Sequence, residues 1–518
     1  MKNLIQTGLN RRHFLQASAA TGVAASLAGG KSAMAAPKKG GVMRMGKAHG
    51  QTSDSLDPGH SENGFTIALL FGIHGYLTEV GTDGSLQPGL AESWEASADA
   101  TSWTFKLRKG VTYHSGKSFG ADDVIASINH HRGEASTSAA KPIVASVVEM
   151  TADDPHTVTF KLDGGNADFP FVLSDYHLSI CPVKDGKLDW QSGDGCGPYK
   201  LREFNPGVAA YFDRADNYWK PDAAHFDAIE MLALVDLNAR TTALVSGEVD
   251  AIDRLDLKTV GLLARKPGIN VHSVAGTQHF TFAMSCKTAP YDDVNVRLAL
   301  KYGLNRQEMV DKILFGYGAV GNDHPIGQGQ RYFNKDLPQR EYDPDKAKFH
   351  LKKAGLETLK VDLSAADAAF GGAVDAAVLF QNSAKECGID LTPVREPNDG
   401  YWADVWMKKP FTAVYWSGRP VEDQMFATAY KTGVDWNDTF WSNARFDELL
   451  VQARAELNED TRRAMYYEMQ EILHNDGGVI VPMFASYVFA TADKVVHGDF
   501  GSNWDLDGER WMERWSFA

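Results

Sequence analysis

A chain of 518 residues is too long for a single hydrophobic core, and two or three domains are expected. Its 67 acidic and 52 basic side chains give a formal net charge of −15, which argues against a nucleic acid or an anionic membrane surface as partner. Four cysteines are too few for a disulfide scaffold, and the sequence holds no CxxC, HExxH or His/Cys cluster of zinc type, so no metal or other cofactor is expected.

The first element is a leader. Asn10-Arg11-Arg12-His13-Phe14-Leu15-Gln16 sets a twin-arginine pair before a hydrophobic dipeptide, Ala17 to Leu27 is small and mildly apolar, and Ala33-Met34-Ala35 is a small-x-small cleavage site. Together these features make residues 1–35 a signal peptide resembling the twin-arginine export signal. The apolar stretch is about 11 residues, against the roughly 20 that a transmembrane helix needs. A stable membrane insertion is therefore not expected, nor, with no Cys after the apolar stretch, a lipid anchor at the amino terminus, and the exported protein should be periplasmic. Loss of Lys2, Arg11, Arg12 and Lys31 takes the net charge from −15 to −19.

Strand and helix signals then alternate, so the class is α/β with α+β elements. Trp103-Thr104-Phe105-Lys106-Leu107 alternates as a half-buried strand, and Thr157 to Leu162 is a second one. Asp122 to His130 reads as a helix with Val124, Ile125 and Ile128 on one face. Asp343-Pro344 supplies an N-cap and a proline at the first helical position, and Gly355 a C-cap. The longest helical signal runs from about Arg445 to His474, with Leu449, Leu450, Ala453, Leu457, Met465, Met469 and Ile472 mostly at three- and four-residue steps, before Asp476-Gly477-Gly478 stops it. His130 and His131, adjacent at a helix end, do not face each other and are expected to be solvated. Cys181 and Cys196 are near enough in sequence to pair, and Cys286 and Cys387 would need the fold to bring them together; spacing leaves both open.

Several segments are together recognisable. Leu56-Asp57-Pro58, Pro88 to Trp94, Trp103 to Val111, Ala121 to Val124, Gly195-Cys196-Gly197-Pro198-Tyr199, Asn217-Tyr218-Trp219, Gly247 to Asp250 and Ala289 to Arg297 follow in an order that resembles the extracellular solute-binding proteins of the peptide, nickel and opine importer family, solute-binding family 5. The resemblance implies a two-lobed clamp of three domains, closing by hinge motion around a ligand between the lobes. Domain I should be discontinuous, at 36–78, 191–272 and 486–518; domain II should span 79–190 and domain III 273–485. It also implies a monomer working with an ABC permease and its ATPase, and a peptide-like, opine-like or other anionic solute as ligand.

Tyr401 to Trp441 holds 11 aromatics in 41 residues, well above the chain-wide share of 11%. Aromatics line concave sites because they bury large area at low entropic cost, although most here should pack a core. Trp416 and Trp436 flank a Gly- and Pro-containing loop and are the candidates for the cleft. That loop, Trp416-Ser417-Gly418-Arg419-Pro420, resembles the family's Trp-x-Gly-Asp segment, where peptide binders hold the peptide's amino group with the Asp. Here Arg419 stands in that place. A guanidinium repels an ammonium and holds a carboxylate with two parallel hydrogen bonds; the alternatives are that Arg419 faces solvent or pairs with Glu422 or Asp423. His279, on the alternating stretch Gln278 to Ala283, and Phe65, after Asn63-Gly64, complete the candidate ligand residues, each with a core or structural role as its alternative. No Gly-x-Ser-x-Gly elbow, phosphate-cradling loop or metal spacing points to catalysis. A two-carboxylate glycoside hydrolase is the strongest enzyme alternative, an oligosaccharide carrier stacking sugar on the tryptophans is the other transport reading, and a chaperone or sensor partner is a further one.

Overall fold

The computed structural model describes residues 38–419 and 421–518; the leader at 1–35 lies outside the described residues. Strand β1 (Val42–Lys47) and helix α1 (Gly64–Ile73) open the chain. Asn63 caps α1, its side chain accepting from the Phe65 and Thr66 amides. A four-stranded antiparallel sheet follows, made of β2 (Ala91–Ala96), β3 (Ser102–Leu107), β4 (Val147–Asp154) and β5 (Thr157–Leu162) in the order β2-β3-β5-β4. Helix α2 (Ala121–His130) covers it with Val124 and Ile128. Phe105, Phe160 and Phe169 meet edge to face beneath, with centroids 5.2–6.3 Å apart.

The second sheet has eleven strands among the described residues. The first of them after β1 are β6 (Tyr199–Asn205), β7 (Ala209–Arg214), β8 (Ala228–Ala233) and β9 (Ala251–Ile252). Next come the long β10 (Ile269–Met284) and the short β11 (Gly318–Val320), then β12 (Leu359–Ala365), β13 (Ile389–Arg395) and β14 (Phe411–Trp416). Helices α3 (Ala444–Ala455) and α4 (Glu459–Asp476) precede the last long strand, β15 (Val479–Ala492). The order is β6-β7-β8-β1-β9-β15-β10-β14-β12-β13, with β11 on β15. One end packs Met43, Met45, Phe212, Trp511 and Trp515 into a core; the other packs Phe282, Leu363, Phe380 and Phe411 into a separate one.

Among the described residues β10 and β15 are the longest strands, 16 and 14 residues, and side by side they join the two halves of this sheet, β15 pairing with β9 and β10 with β14. Their antiparallel register holds from Ile269↔Ala492 to Ala275↔Ser486, breaks, and resumes at His279↔Phe484. Gly276, Thr277 and Gln278 thus face a single residue, Ala485. Such a bulge bends a strand and locally disrupts the ladder. At Gly276 a Cβ would lie 2.4 Å from the Ala485 carbonyl oxygen, so only glycine fits where the strands cross.

The strands at 103–107 and 157–162 and the helices at 122–130 and 344–353 occur as expected, with Asp343 capping the last through the Lys346 amide. The long helix does not. It is broken at residues 456–458, because the Asn458 side chain accepts from the Thr461 amide and starts a new helix. Leu457, counted on the apolar face, is 43% exposed. Nor are the adjacent histidines solvated: His131 is fully buried on Ser138 and His130 bonds Asp57 at 2.7 Å. All four cysteines are free thiols. Among the described residues no helix is long and apolar enough to cross a membrane, and no group of three or more His, Cys, Asp or Glu is arranged to hold a metal.

Candidate ligand-binding cleft

A cavity of about 710 Å³ opens beside the β10–β15 crossing, a size suited to a small solute. One wall comes from the amino- and carboxy-terminal segments: His49, Glu62, Asn63, Gly64 and Ile67, then Trp504, Asp505 and Glu509. The other comes from Gln278 and Phe280 on β10, from Gly371, and from the loop after β14, Ser417-Gly418-Arg419. Tyr176 reaches in from the region of the smaller sheet and meets Trp504 edge to face at 5.3 Å.

Three of the seven expected ligand residues, Ser417, Gly418 and Arg419, line this cavity. Among the described residues the Arg419 guanidinium donates only to the Ser417 and Gly418 carbonyls of its own loop, at 3.1 and 3.2 Å. Its two acidic neighbours in sequence are engaged elsewhere: Glu422 accepts from the Tyr332 amide at 2.8 Å, and Asp423 pairs with Arg454 at 3.1 Å. Burial lowers the Arg419 pKa from its ordinary value, with Tyr176 the neighbour opposing it. Gly418 is required by close approach, since a Cβ there would stand 1.6 Å from Thr277 Oγ1. The loop is thereby pressed against the β10 bulge.

The other four lie outside the cavity. Phe65 is fully buried and packs on Phe204 in the core, because α1 turns it inward while Asn63, Gly64 and Ile67 face the cleft. His279 is fully buried beside Phe484, its Nδ1 at 3.2 Å from the Thr277 carbonyl. Strand alternation gives the cleft Gln278 and Phe280 instead. Burial drops the His279 pKa to about 4, keeping the ring neutral. Trp416 is opposite His279 in the β10–β14 register and shares its face; it is 6% exposed and packs against Trp406 and Trp436, at 6.3 and 6.2 Å. Trp436 is 51% exposed on the outer side of that cluster.

Missed by the sequence reading is the charged floor. Lys47, fully buried, holds Glu509 through both carboxylate oxygens at 2.8 and 2.9 Å and Asp253 at 3.1 Å. Burial works against its ammonium, but Asp253, Glu509 and Asp505 outweigh it and hold the pKa above normal. Burial, opposed by Lys47 and reinforced by Asp505, pushes Glu509 up to about 8; burial and Asp253 push Asp505 up to about 6. Both acids sit on a turn whose residues Leu506, Asp507 and Glu509 have φ of 45°, 59° and 58°. Asp507 anchors this left-handed turn by accepting from the Gly501 amide, Arg514 and the Trp515 indole at 2.7–3.2 Å. His49 Nδ1 accepts from the Gly64 amide at 3.2 Å, which places the ring proton on Nε2 as a donor. The signal for this floor was the acid-rich stretch Trp504-Asp505-Leu506-Asp507-Gly508-Glu509, too far in sequence from Lys47 for spacing to link them.

Comparison with known proteins agrees with this architecture. Residues 8–28 match the twin-arginine translocation signal sequence, so the protein is exported to the periplasm. The di/tripeptide-binding protein 1 of Pseudomonas aeruginosa is 27% identical over 79% of this chain and 82% of that protein. Heme-binding protein A of Haemophilus influenzae is also 27% identical, over 82% and 83%. The structure of HbpA2 from Haemophilus parasuis superposes with a TM-score of 0.81 at 20% identity, covering 92% of this chain and all of the other. Residues 85–438 match the family described as bacterial extracellular solute-binding proteins, family 5: the chain belongs to that family, the substrate-binding components of ABC importers.

Proposed function

We propose that the protein captures a small solute bearing an anionic group, peptide-like or opine-like, between two lobes and delivers it to an ABC permease and its ATPase without catalysis. The observation that carries this reading is Arg419, a cavity-lining guanidinium with no carboxylate within ion-pair distance among the described residues. A half-buried cation without a counter-ion gains most from a ligand that brings one. The relatives' names leave the solute open, one naming short peptides and another heme. The stacking reading for an oligosaccharide loses the two rings it was built on, since Trp416 and Trp436 are outside the cavity. The proposed domain limits at 272/273 and 485/486 fall within a few residues of the β10–β15 bulge, which supports a hinge there between domains I and III, with the smaller sheet as domain II.

The test is calorimetry with the solute released from protein isolated from its native periplasm. Losing one partner of a desolvated charge pair costs about 2–5 kcal/mol, so Arg419→Ala should bind about 30-fold or more weakly. Arg419→Lys should recover part of the loss, keeping the charge without the planar fork. Binding by Arg419→Ala within about threefold of the parent would make Arg419 a surface residue, because exposed pairs contribute about 1 kcal/mol or less.

A further inference from the structure

We propose that the solute anchored by Arg419 also carries an apolar group, aliphatic or aromatic, seated in the same cavity against Leu257, Phe280, Ile313 and Leu314. This rests on the reading of Arg419 as the anion's anchor. The charged floor asks nothing of a ligand: Lys47 holds Glu509 and Asp253, and the cavity-lining Arg254 stands 3.7 Å from Asp505. Glu62, the remaining acid on the lining, is exposed to water.

Away from these charges the lining is apolar. Leu255 and Val488 belong to one small core, and the Leu255 amide donates to the Val488 carbonyl at 3.0 Å. Phe280 and Leu314 belong to the larger core of Leu363, Phe380 and Phe411, and Leu257 packs against both cores. Ile313, at the end of the helix Arg306–Ile313, packs against the larger one. All six side chains line the cavity, so the two cores meet there in one apolar surface. Phe280 is held in place by stacking on Phe370, with centroids 4.4 Å apart and planes at 17°. The Arg419 loop touches β10 at Thr277, and Phe280 is three residues further along the strand. At about 3.3 Å per residue, that loop contact and the apolar seat are up to about 10 Å apart. A cavity of about 710 Å³ has room for a molecule that spans both. A small bare anion would leave water against the apolar surface, and a wholly polar solute would bury polar groups there without partners; both cost free energy.

The solute released from parent protein isolated from its native periplasm is identified by mass spectrometry and titrated back by calorimetry into the parent, Leu257→Asn, Ile313→Asn and Arg419→Ala. Leu257 and Ile313 are half-buried, and circular dichroism checks that each variant folds. The expected solute carries an anionic and an apolar group, and burying the latter makes the heat capacity of binding negative. Each Asn variant should bind about tenfold or more weakly, with a less negative heat capacity. A solute without an apolar group, or a heat capacity of binding near zero in the parent, overturns the seat. Weaker binding by Arg419→Ala with parental binding by both Asn variants removes only the seat and leaves the anchor. Weaker binding by the Asn variants with parental binding by Arg419→Ala removes the anchor and leaves the seat. Should the parent retain no solute, anilinonaphthalene sulfonate, an anion on an apolar ring system, is the probe. One saturable fluorescent site, weakened about tenfold or more by either Asn variant, is then expected; equal binding by parent and both variants overturns the proposal.

Discussion

Asp438 is 7% exposed, with its Oδ2 accepting from the Trp406 indole at 3.2 Å and burial pushing its pKa up to about 7. An unfolded chain releases that proton near pH 3.9. Between about pH 4 and 7 the folded state therefore holds a proton that the unfolded state has lost, and stability falls as pH rises through that window. Asparagine has the same shape and no charge. Asp438→Asn should match the parent near pH 4 and exceed it at pH 8, by up to about 4 kcal/mol at 1.36 kcal/mol per pKa unit. Urea midpoints at the two pH values check this; an equal gain at both would mean the carboxyl is ionised throughout. The same scale shows what single residues disclose. Arg419 was legible because an opposite charge stood in a recognisable loop. Phe65 and His279 were each one position from residues that do line the cavity, Gly64 and both Gln278 and Phe280. A lone sequence gives the period of a strand or helix but not which face meets the cleft.

At the scale of elements, the loop after β14 and the bulge in β10 act as one unit. A Cβ on Gly418 would sit 1.6 Å from Thr277 Oγ1 and 2.5 Å from Thr277 Cβ, so no flexible side-chain end can move aside. Gly418→Ala should cost about 1–3 kcal/mol of stability, as overpacked sites do, and should weaken solute binding by displacing Arg419 beside it. Thr277→Gly in the same chain should recover part of both losses, read by denaturation midpoint and calorimetry. Failure of the double variant to recover anything would separate the loop from the bulge. This contact joins segments 141 residues apart and left no local trace in the sequence. The break between α3 and α4 did leave one. Asn458 is a strong N-cap residue followed by Glu459 and Asp460 in the first turn, but the apolar period across Leu457 concealed it.

Across the whole molecule, the contact that joins the region of the smaller sheet to the far end of the larger one is a buried charge. Asp168, 2% exposed, receives Arg331 at 2.8 Å and Arg462 through both guanidinium nitrogens, one at 2.7 Å. Around it Val80, Phe171 and Val421 pack together, and the Ala167 amide donates to the Arg454 carbonyl at 2.7 Å. In the proposed domain layout this pair links domain II to domain III, across the mouth that a clamp must open. Burial opposes ionisation of Asp168, but Arg462 and Arg331 outweigh it and hold its pKa below the usual carboxylate range. Removing one partner of such a pair strands the others and costs about 3–5 kcal/mol. If the pair is a latch between lobes, that cost falls on the contact and not on the lobes' own cores. Asp168→Asn should then show a larger radius of gyration by small-angle scattering at neutral pH, with both lobes still folded by circular dichroism. A depressed folded pKa gives stability that is present above the unfolded value near 3.9 and lost as pH falls through the folded one. The parent should therefore expand toward the variant's dimensions only in acid, and the variant should not respond over that range. Replacing Asp168, Arg331 and Arg462 together by Leu, Met and Met should restore much of the compactness, since apolar groups of similar volume leave no stranded charge. An Asp168→Asn protein that loses stability at unchanged radius would instead make the pair a fixed strut, and closure would have to turn on the β10–β15 bulge alone.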